Sequence, residues 1–313
     1  MSVRYTYHRV VKFLITDIWN LDISELDFMR ARMVRYLKVI ILTIRNFSND
    51  KVAMQATSLS FFSVLAVVPF TSLVFAITDG FGLGDNLESL LYTFFEGNEQ
   101  VVGLILRFAG NVITTSQNGL FGLISVIFLL STIISLMISV EKAFNGIWKV
   151  SANRLFKRRV LYYFSLMIIS PFVILIFLSL GLFYSNMLEA VNIDKYFPIS
   201  SLFIWLLAYA IIVLTFTIMY KYIPNIKVRL SAAFNSAIVI AVVFVAVQYL
   251  YTGTQLLVTG LNAVYGVFAA VPLFLVWMSV SWTLILFGAE LSHAYQMLMN
   301  IKKPEKNDEN GID

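Results

Sequence analysis

The sequence has little of the chemistry on which most enzymes depend. It contains no cysteine and only two histidines, His8 and His293, in 313 residues. A disulfide, a thiolate metal site and a cysteine nucleophile are therefore excluded. Neither histidine belongs to an H-x-H or H-E-x-x-H pattern, and no acid cluster stands beside them with metal-ligand spacing. A G-x-S-x-G motif is also missing, so we expect no catalytic residue, no bound metal and no cofactor.

Charge is scarce as well. Charged residues make up 13% of the chain, whereas soluble domains typically carry about 25%. Hydrophobic residues make up 59%, and the mean hydropathy is +0.82. The 22 residues from Phe268 to Ala289, closed by Glu290, include no charge. As a helix they would extend roughly 33 Å, enough to cross the hydrocarbon core of a bilayer.

Similar apolar runs recur along the chain and predict an all-α, polytopic membrane protein with six transmembrane helices. The predicted spans are residues 57–78, 120–140, 160–185, 199–220, 230–251 and 268–289. Pro69 removes a backbone donor from the first span and predicts a kink there. Residues 79–119 form the longest connection, whose two short apolar patches predict interfacial or re-entrant helices. The predicted organisation is a segment 1–56, a membrane domain 57–291 and a tail 292–313.

The N-terminal segment contains one amphipathic pattern. Apolar side chains recur at helical spacing on one face: Met33, Tyr36, Leu37, Ile40, Ile44 and Phe47. Cations gather on another face: Arg32, Arg35, Lys38 and Arg45. This pattern is typical of a helix lying in the membrane interface. It also fits a helix packed against the spans, and both interpretations remain open.

Basic residues are confined to alternate connections. Of the 23 lysines and arginines, 21 lie in residues 1–56, 141–159, 221–229 and the tail. The positive-inside rule makes these segments cytoplasmic, so both termini are expected on the cytoplasmic side of the membrane. This bias explains the pI near 9.2 without nucleic-acid binding. The expected partners are anionic lipid head groups at the cytoplasmic face, and no nucleic acid.

Glu290 is the most informative acid, because it directly follows the last span. It has either a structural ion pair or a gating or substrate role, and candidate partners are Lys142, Arg158, Arg159, Lys221 and Arg229. If the helix continues through Met299, Glu290 lies away from the helix C-terminus, and the helix dipole no longer disfavours its negative charge. The basic residues around Arg158 either bind anionic lipid head groups or serve only as a positive-inside signal that sets the orientation in the membrane.

No span carries a charge through its middle, which argues against proton-coupled transport. The polar candidates are Asn235, Gln248, Gln255 and Asn262, for interhelical hydrogen bonds or a substrate site.

Four motifs in register along residues 50–295 together resemble the YihY/BrkB family of bacterial inner-membrane proteins. They are MQATSLSFFSVLAVVPF, which ends in Pro69 and Phe70; FNGIW, with Asn145 and Trp148, followed by basic residues including Arg158; YIPN, with Pro224; and YGVFAAVPLFLVWMSVSWTLILFGAEL, with Trp277, Gly288 and Glu290. The resemblance implies six spans, cytoplasmic termini and a location in a bacterial inner membrane. It carries over no catalytic or binding residue, and these residues do not support the ribonuclease label once given to the family.

The leading functional hypothesis is therefore a non-enzymatic membrane protein that handles lipid or another amphiphilic envelope component. The alternative is a structural or assembly partner of an envelope complex.

Overall fold

The protein is built from helices throughout the part of the chain that the structure describes. The structure, a computed structural model, describes residues 18–21, 27–94, 119–150, 199–260 and 262–300, with scattered positions within 103–114 and 161–175. The helices longer than ten residues are α1 Phe28–Asn49, α2 Val52–Gly80, α3 Gly84–Phe94, α4 Gly119–Ile147, α5 Ile199–Tyr222, α6 Leu230–Gly260 and α7 Asn262–Asn300. The predicted all-α class is confirmed.

Three helical stretches are long and apolar enough to cross a membrane: Leu130–Ile147 in α4, Leu230–Tyr251 in α6 and Phe274–Leu298 in α7. Helix α2 adds a fourth if its halves, Val52–Val67 and Pro69–Gly80, form one bent span. The 41° bend between these halves confirms the kink predicted at Pro69, which is buried. Most of the predicted third span, 160–185, lies outside the described residues, so a total of six spans stays a prediction.

Helix α7 lies at the centre of the fold and packs against α1, α2, α4, α5 and α6. Helix α7 approaches its neighbours closely at Gly288. A Cβ atom placed there would lie 2.6 Å from Tyr220 Cζ and 2.8 Å from Ile240 Cγ1, and the Tyr220 hydroxyl would be nearer still. The Ser236 hydroxyl of α6 donates to the Gly288 carbonyl. Small residues thus let three helices approach closely, as is usual between membrane helices.

Helix α1 packs one side onto α7 and leaves another side exposed. Val39 and Thr43 are buried, and the Phe47 and Phe287 rings meet edge-on with centroids 5.5 Å apart. Most of the predicted apolar face is instead exposed: Met33, Tyr36, Leu37, Ile40 and Ile44. Lys38 departs from the expected cationic face, because it is buried and donates to the Leu21 carbonyl at 3.2 Å.

Helices α4, α6 and α7 continue well beyond the predicted ends of their spans, and α6 reaches Gly260. Helix α4 runs through the start of the predicted basic segment 141–159 to Ile147, and Glu141, Phe144 and Ile147 are fully buried there. The Tyr163 hydroxyl donates to Glu141 Oε2. Helix α7 continues to Asn300, so Glu290 lies well inside a helix and faces no terminal dipole.

A second, smaller core lies at the C-terminal end of α2 among the described residues. Val74, Phe75, Leu87, Leu90 and Leu175 form a small second core in which α3 lies against α2. Helix α3 covers most of the first apolar patch predicted in residues 79–119. The second patch is described only in part.

Candidate functional site

Three separate parts of the chain bring ionisable side chains together beside α7. We call Asp50, Lys149, Glu290 and His293 the charged cluster. Asp50 follows α1, Lys149 follows α4, and the other two residues lie on α7. Lys149 Nζ forms an ion pair with Asp50 Oδ1. Asp50 and Lys149 both lie within electrostatic range of Glu290 and of His293.

Glu290 is the most deeply buried member of the charged cluster. Its exposed fraction is 0%, and neither carboxyl oxygen accepts a hydrogen bond of good geometry, although Asn46 and Asp50 lie beside it. A buried ionised carboxylate without hydrogen bonds costs several kcal/mol, on the order of the penalty for an unpaired buried ion. The surroundings of Glu290 therefore favour a further positive charge, in addition to the Lys149 ammonium that is already paired with Asp50.

Further polar atoms around the cluster are buried without hydrogen-bond partners. They include Asp50 Oδ2, Gln55 Oε1, His293 Nδ1 and Trp148 Nε1. Gln55 Nε2 donates to the Asp50 carbonyl at 3.0 Å, and the Trp148 and His293 rings lie 4.9 Å apart. Within the described residues, no three His, Asp or Glu side chains form a group able to hold a metal ion.

The backbone at Lys149 adopts a conformation that normally favours glycine. Its φ is 53°, in the left-handed region. The Lys149 amide donates to the Gly146 carbonyl at 3.1 Å, and the Val150 amide donates to the Asn145 carbonyl at 2.9 Å. These two bonds form a Schellman motif, in which a non-glycine residue at the left-handed position is strained. The turn aims the Lys149 ammonium at Asp50.

Two of the sequence motifs meet at the same end of the fold. The Asn225 amide donates to Asn145 Oδ1 at 2.8 Å, which ties the end of α4 to the turn between α5 and α6. Asn145 and Trp148 are each 5% exposed, and Pro224 is buried in that turn. The candidates Asn145, Trp148, Pro224 and Glu290 are thus brought into one region.

The predicted ion-pair partners of Glu290 were wrong wherever the structure describes them. Lys142 and Arg229 are exposed, and Lys221 Nζ lies 5.2 Å above the Tyr222 ring. Among the described cations, Lys149 is the one that acts on Glu290. Arg158 and Arg159 lie outside the described residues. Sequence reasoning missed Asp50 and Lys149 and considered His293 only as a metal ligand; the position of Lys149 directly after FNGIW was the available signal.

The other polar candidates lie away from the charged cluster. Trp277 Nε1 donates to Gln248 Oε1 at 2.9 Å, and its ring stacks on Tyr251 with centroids 5.3 Å apart. These contacts between α6 and α7 confirm an interhelical role for Gln248. Asn235 is exposed on α6. The side chains of Gln255 and Asn262 lie outside the described part of the chain.

The fold and the charged cluster together define an integral, all-helical membrane protein with buried charge where the ends of α1 and α4 meet α7. The chain belongs to the BrkB family, because the family model described as "Virulence factor BrkB" matches residues 43–312. The resemblance seen in the motifs is thereby confirmed.

Its bacterial relatives carry names that specify a membrane protein and no activity. A UPF0761 membrane protein of Paraburkholderia xenovorans is 30% identical over 260 residues, covering 79% of this chain and 57% of its own length. Its counterpart in Coxiella burnetii is 28% identical over 253 residues, covering 80% and 90%. The chain therefore spans just over half of the first relative and nearly all of the second. No solved structure matches the chain.

Proposed function

We propose that the protein handles a lipid or another amphiphilic envelope component in the bacterial inner membrane, with both termini in the cytoplasm. The observation that carries this proposal is the exposed apolar face of α1. Met33, Leu37, Ile40 and Ile44 are between 40% and 65% exposed, a surface suited to acyl chains rather than to water.

The cations of α1 fit the same ligand. Arg30, Arg32 and Arg45 are exposed along the helix. A helix with an apolar face and flanking arginines binds anionic head groups while its apolar side chains enter the acyl region. Arg158 and its neighbours in the basic segment supply further positive charge from the sequence.

Helix α1 also connects this surface to the charged cluster. Asp50 caps the end of α1 and pairs with Lys149, so a lipid-induced displacement of α1 would act directly on the residues around Glu290. Helix α1 thus joins a membrane-contacting surface to buried charge, whereas the uncharged α6 offers no such link.

Reconstitution into liposomes containing anionic phospholipid tests the proposal through a lipid-scrambling assay. We expect wild-type protein to move labelled lipid between leaflets faster than protein-free vesicles, and Glu290→Gln and Arg158→Ala to move it more slowly. The paired variant Ile40→Asn, Ile44→Asn removes the apolar face of α1. Val242→Asn, at a position 57% exposed on α6, is its matched control.

Two outcomes would contradict the proposal. Lipid movement no faster than in empty vesicles, together with one stoichiometric protein partner after mild purification, would favour the assembly-partner alternative. Reporter fusions that place residues 141–159 and the tail on opposite faces of the membrane would contradict the proposed orientation.

A further inference from the structure

We propose that Asp50 and Glu290 form a proton-binding site, in which the two carboxyl groups hold one proton between them. This site goes beyond lipid handling and does not depend on it. The starting observation is the pair of unpartnered oxygens on Glu290, a side chain with 0% exposure. Such an arrangement persists in a folded protein only when something compensates the buried charge.

The contact between the two carboxyls identifies the missing group. The Asp50 and Glu290 side chains lie beside each other, and Asp50 Oδ2, like both Glu290 oxygens, is buried without a hydrogen-bond partner. Ionised carboxylates carry acceptor atoms only, so two of them cannot bond to each other. Adding one proton turns the same contact into an O–H···O⁻ hydrogen bond, which is among the stronger kinds in proteins. The geometry therefore fits a singly protonated pair.

Charge balance supports the same conclusion. Two carboxylates face one ammonium in the cluster, and that ammonium belongs to Lys149, whose side chain is 58% exposed and already paired with Asp50. One bound proton makes the three groups neutral together. A metal ion is a poorer candidate, because the described residues contain no metal-holding group.

Other charged groups on α1, α2 and α4 are directed elsewhere. Arg45, Lys51 and Lys142 are exposed, Lys38 donates to the Leu21 carbonyl, and Glu141 accepts from Tyr163. Among these helices and the turns that end them, Asp50 and Lys149 are the charges that act on Glu290.

Helices α5 and α6 add no competing charge. Helix α6 contains no Asp, Glu, Lys or Arg. Lys221 of α5 lies above the Tyr222 ring, and the buried Tyr220 side chain lies against Gly288. On α7 itself, His293 is the remaining titratable group in range of Asp50 and Lys149.

A route for the proton is also present. The Asp50 side chain is 14% exposed, whereas Glu290 is completely buried. The proton reaches the pair from water on the Asp50 side, is held in one O–H···O⁻ bond between the two carboxyl groups, and returns to water by the same way. Loss of the proton leaves two adjacent carboxylates, whose repulsion weakens the contact between the end of α1 and α7.

Infrared difference spectra of the full-length protein in lipid nanodiscs, taken between about pH 5 and about pH 9, test the site directly. We expect wild type to show the carbonyl band of a protonated carboxylic acid that disappears as the pH rises. Glu290→Gln should remove this band, because its carboxamide donates permanently to Asp50. Glu141→Gln is the matched control, since Glu141 is the other fully buried carboxyl among the described residues, and it should keep the band.

Amide hydrogen exchange over residues 43–50 provides a second measurement. Exchange there should accelerate with rising pH in wild type, beyond the intrinsic pH effect seen in an exposed reference segment, and the excess should vanish in Glu290→Gln. If that variant does not fold, Asp50→Asn supplies the same test. His293→Gln should leave the carboxyl band in place.

The proposal is overturned if the band survives both Glu290→Gln and Asp50→Asn, or if only Glu141→Gln removes it. It is also overturned if sodium or potassium abolishes the band at constant pH, which would indicate a metal cation. None of these measurements involves lipid movement, so this proposal and the proposed function fail separately.

Discussion

Two helix-ending turns in this protein use the same hydrogen bonds with different residues. After α2, Gly82 has φ 72°, and the amides of Gly82 and Leu83 donate to the carbonyls of Asp79 and Thr78 at 2.8 Å each. After α4, Lys149 occupies the equivalent position with φ 53°. Both turns are Schellman motifs, but only the first has the residue that the motif prefers.

The difference indicates what each region is built for. A Cβ added at Gly82 would meet no atom within 4 Å, so glycine serves the backbone conformation alone. At Lys149 the left-handed conformation costs roughly 1–2 kcal/mol for a residue with a Cβ atom. Strain of this kind persists where neighbouring structure imposes it, often at functional sites. Here its result is an ammonium group beside Asp50 and Glu290.

The largest expected effect is a loss of stability on replacing Gly288, compared with the same replacement at Gly80 near the turn after α2. Gly288→Ala should destabilise the protein by at least about 3 kcal/mol, because the new methyl group overlaps Tyr220 and Ile240 in a packed three-helix contact. Equilibrium unfolding in mixed detergent micelles measures the loss. Gly80→Ala is the control, since a Cβ there meets nothing within 4 Å. Equal losses of stability for Gly288→Ala and Gly80→Ala would contradict the close packing of Tyr220 and Ile240 around Gly288.

The next effect is the difference in stability between losing a buried tyrosine hydroxyl that has a hydrogen-bond partner and losing one that has none. Tyr163→Phe should cost about 2 kcal/mol, because it removes a hydrogen bond to the buried Glu141 carboxyl. Tyr220→Phe should change stability by about 0 kcal/mol or raise it slightly, since its buried hydroxyl has no partner. The same unfolding measurement compares the two, and a larger loss for Tyr220→Phe would contradict the assignment.

The smallest effect addresses the two turns themselves. Lys149→Gly should be more stable than Lys149→Ala by about 1 kcal/mol, because only glycine relieves the left-handed strain. Gly82→Ala should cost a similar amount at the other turn. Relative to wild type, Lys149→Gly should be nearly neutral, since an ion pair this exposed contributes only about 0–1 kcal/mol. A large loss for Lys149→Gly would mean that the ion pair is stronger than its exposure suggests.

Local features of the structure could be predicted well from the sequence. The apolar stretch Leu230–Tyr251 was predicted with the bounds that the structure gives it, and the bend at Pro69 follows from one missing backbone donor. The ends of α4 and α7 were not predictable in this way, because side chains that look polar in sequence, such as Glu141, are buried against other helices.

Proton-coupled transport was disfavoured because the sequence has no charge in the middle of any predicted span. Asp50 lies in the turn between α1 and α2, and only packing brings it to Glu290. Charge at the ends of helices therefore escapes a search that treats each span separately.

By itself the sequence determined that this is a helical membrane protein of the BrkB family, because hydropathy, proline and motif order are properties of short segments. Only the tertiary structure decided which groups surround Glu290. Lys149 and Asp50 are 99 residues apart, and no local pattern specifies a contact that three helices create by packing on a fourth.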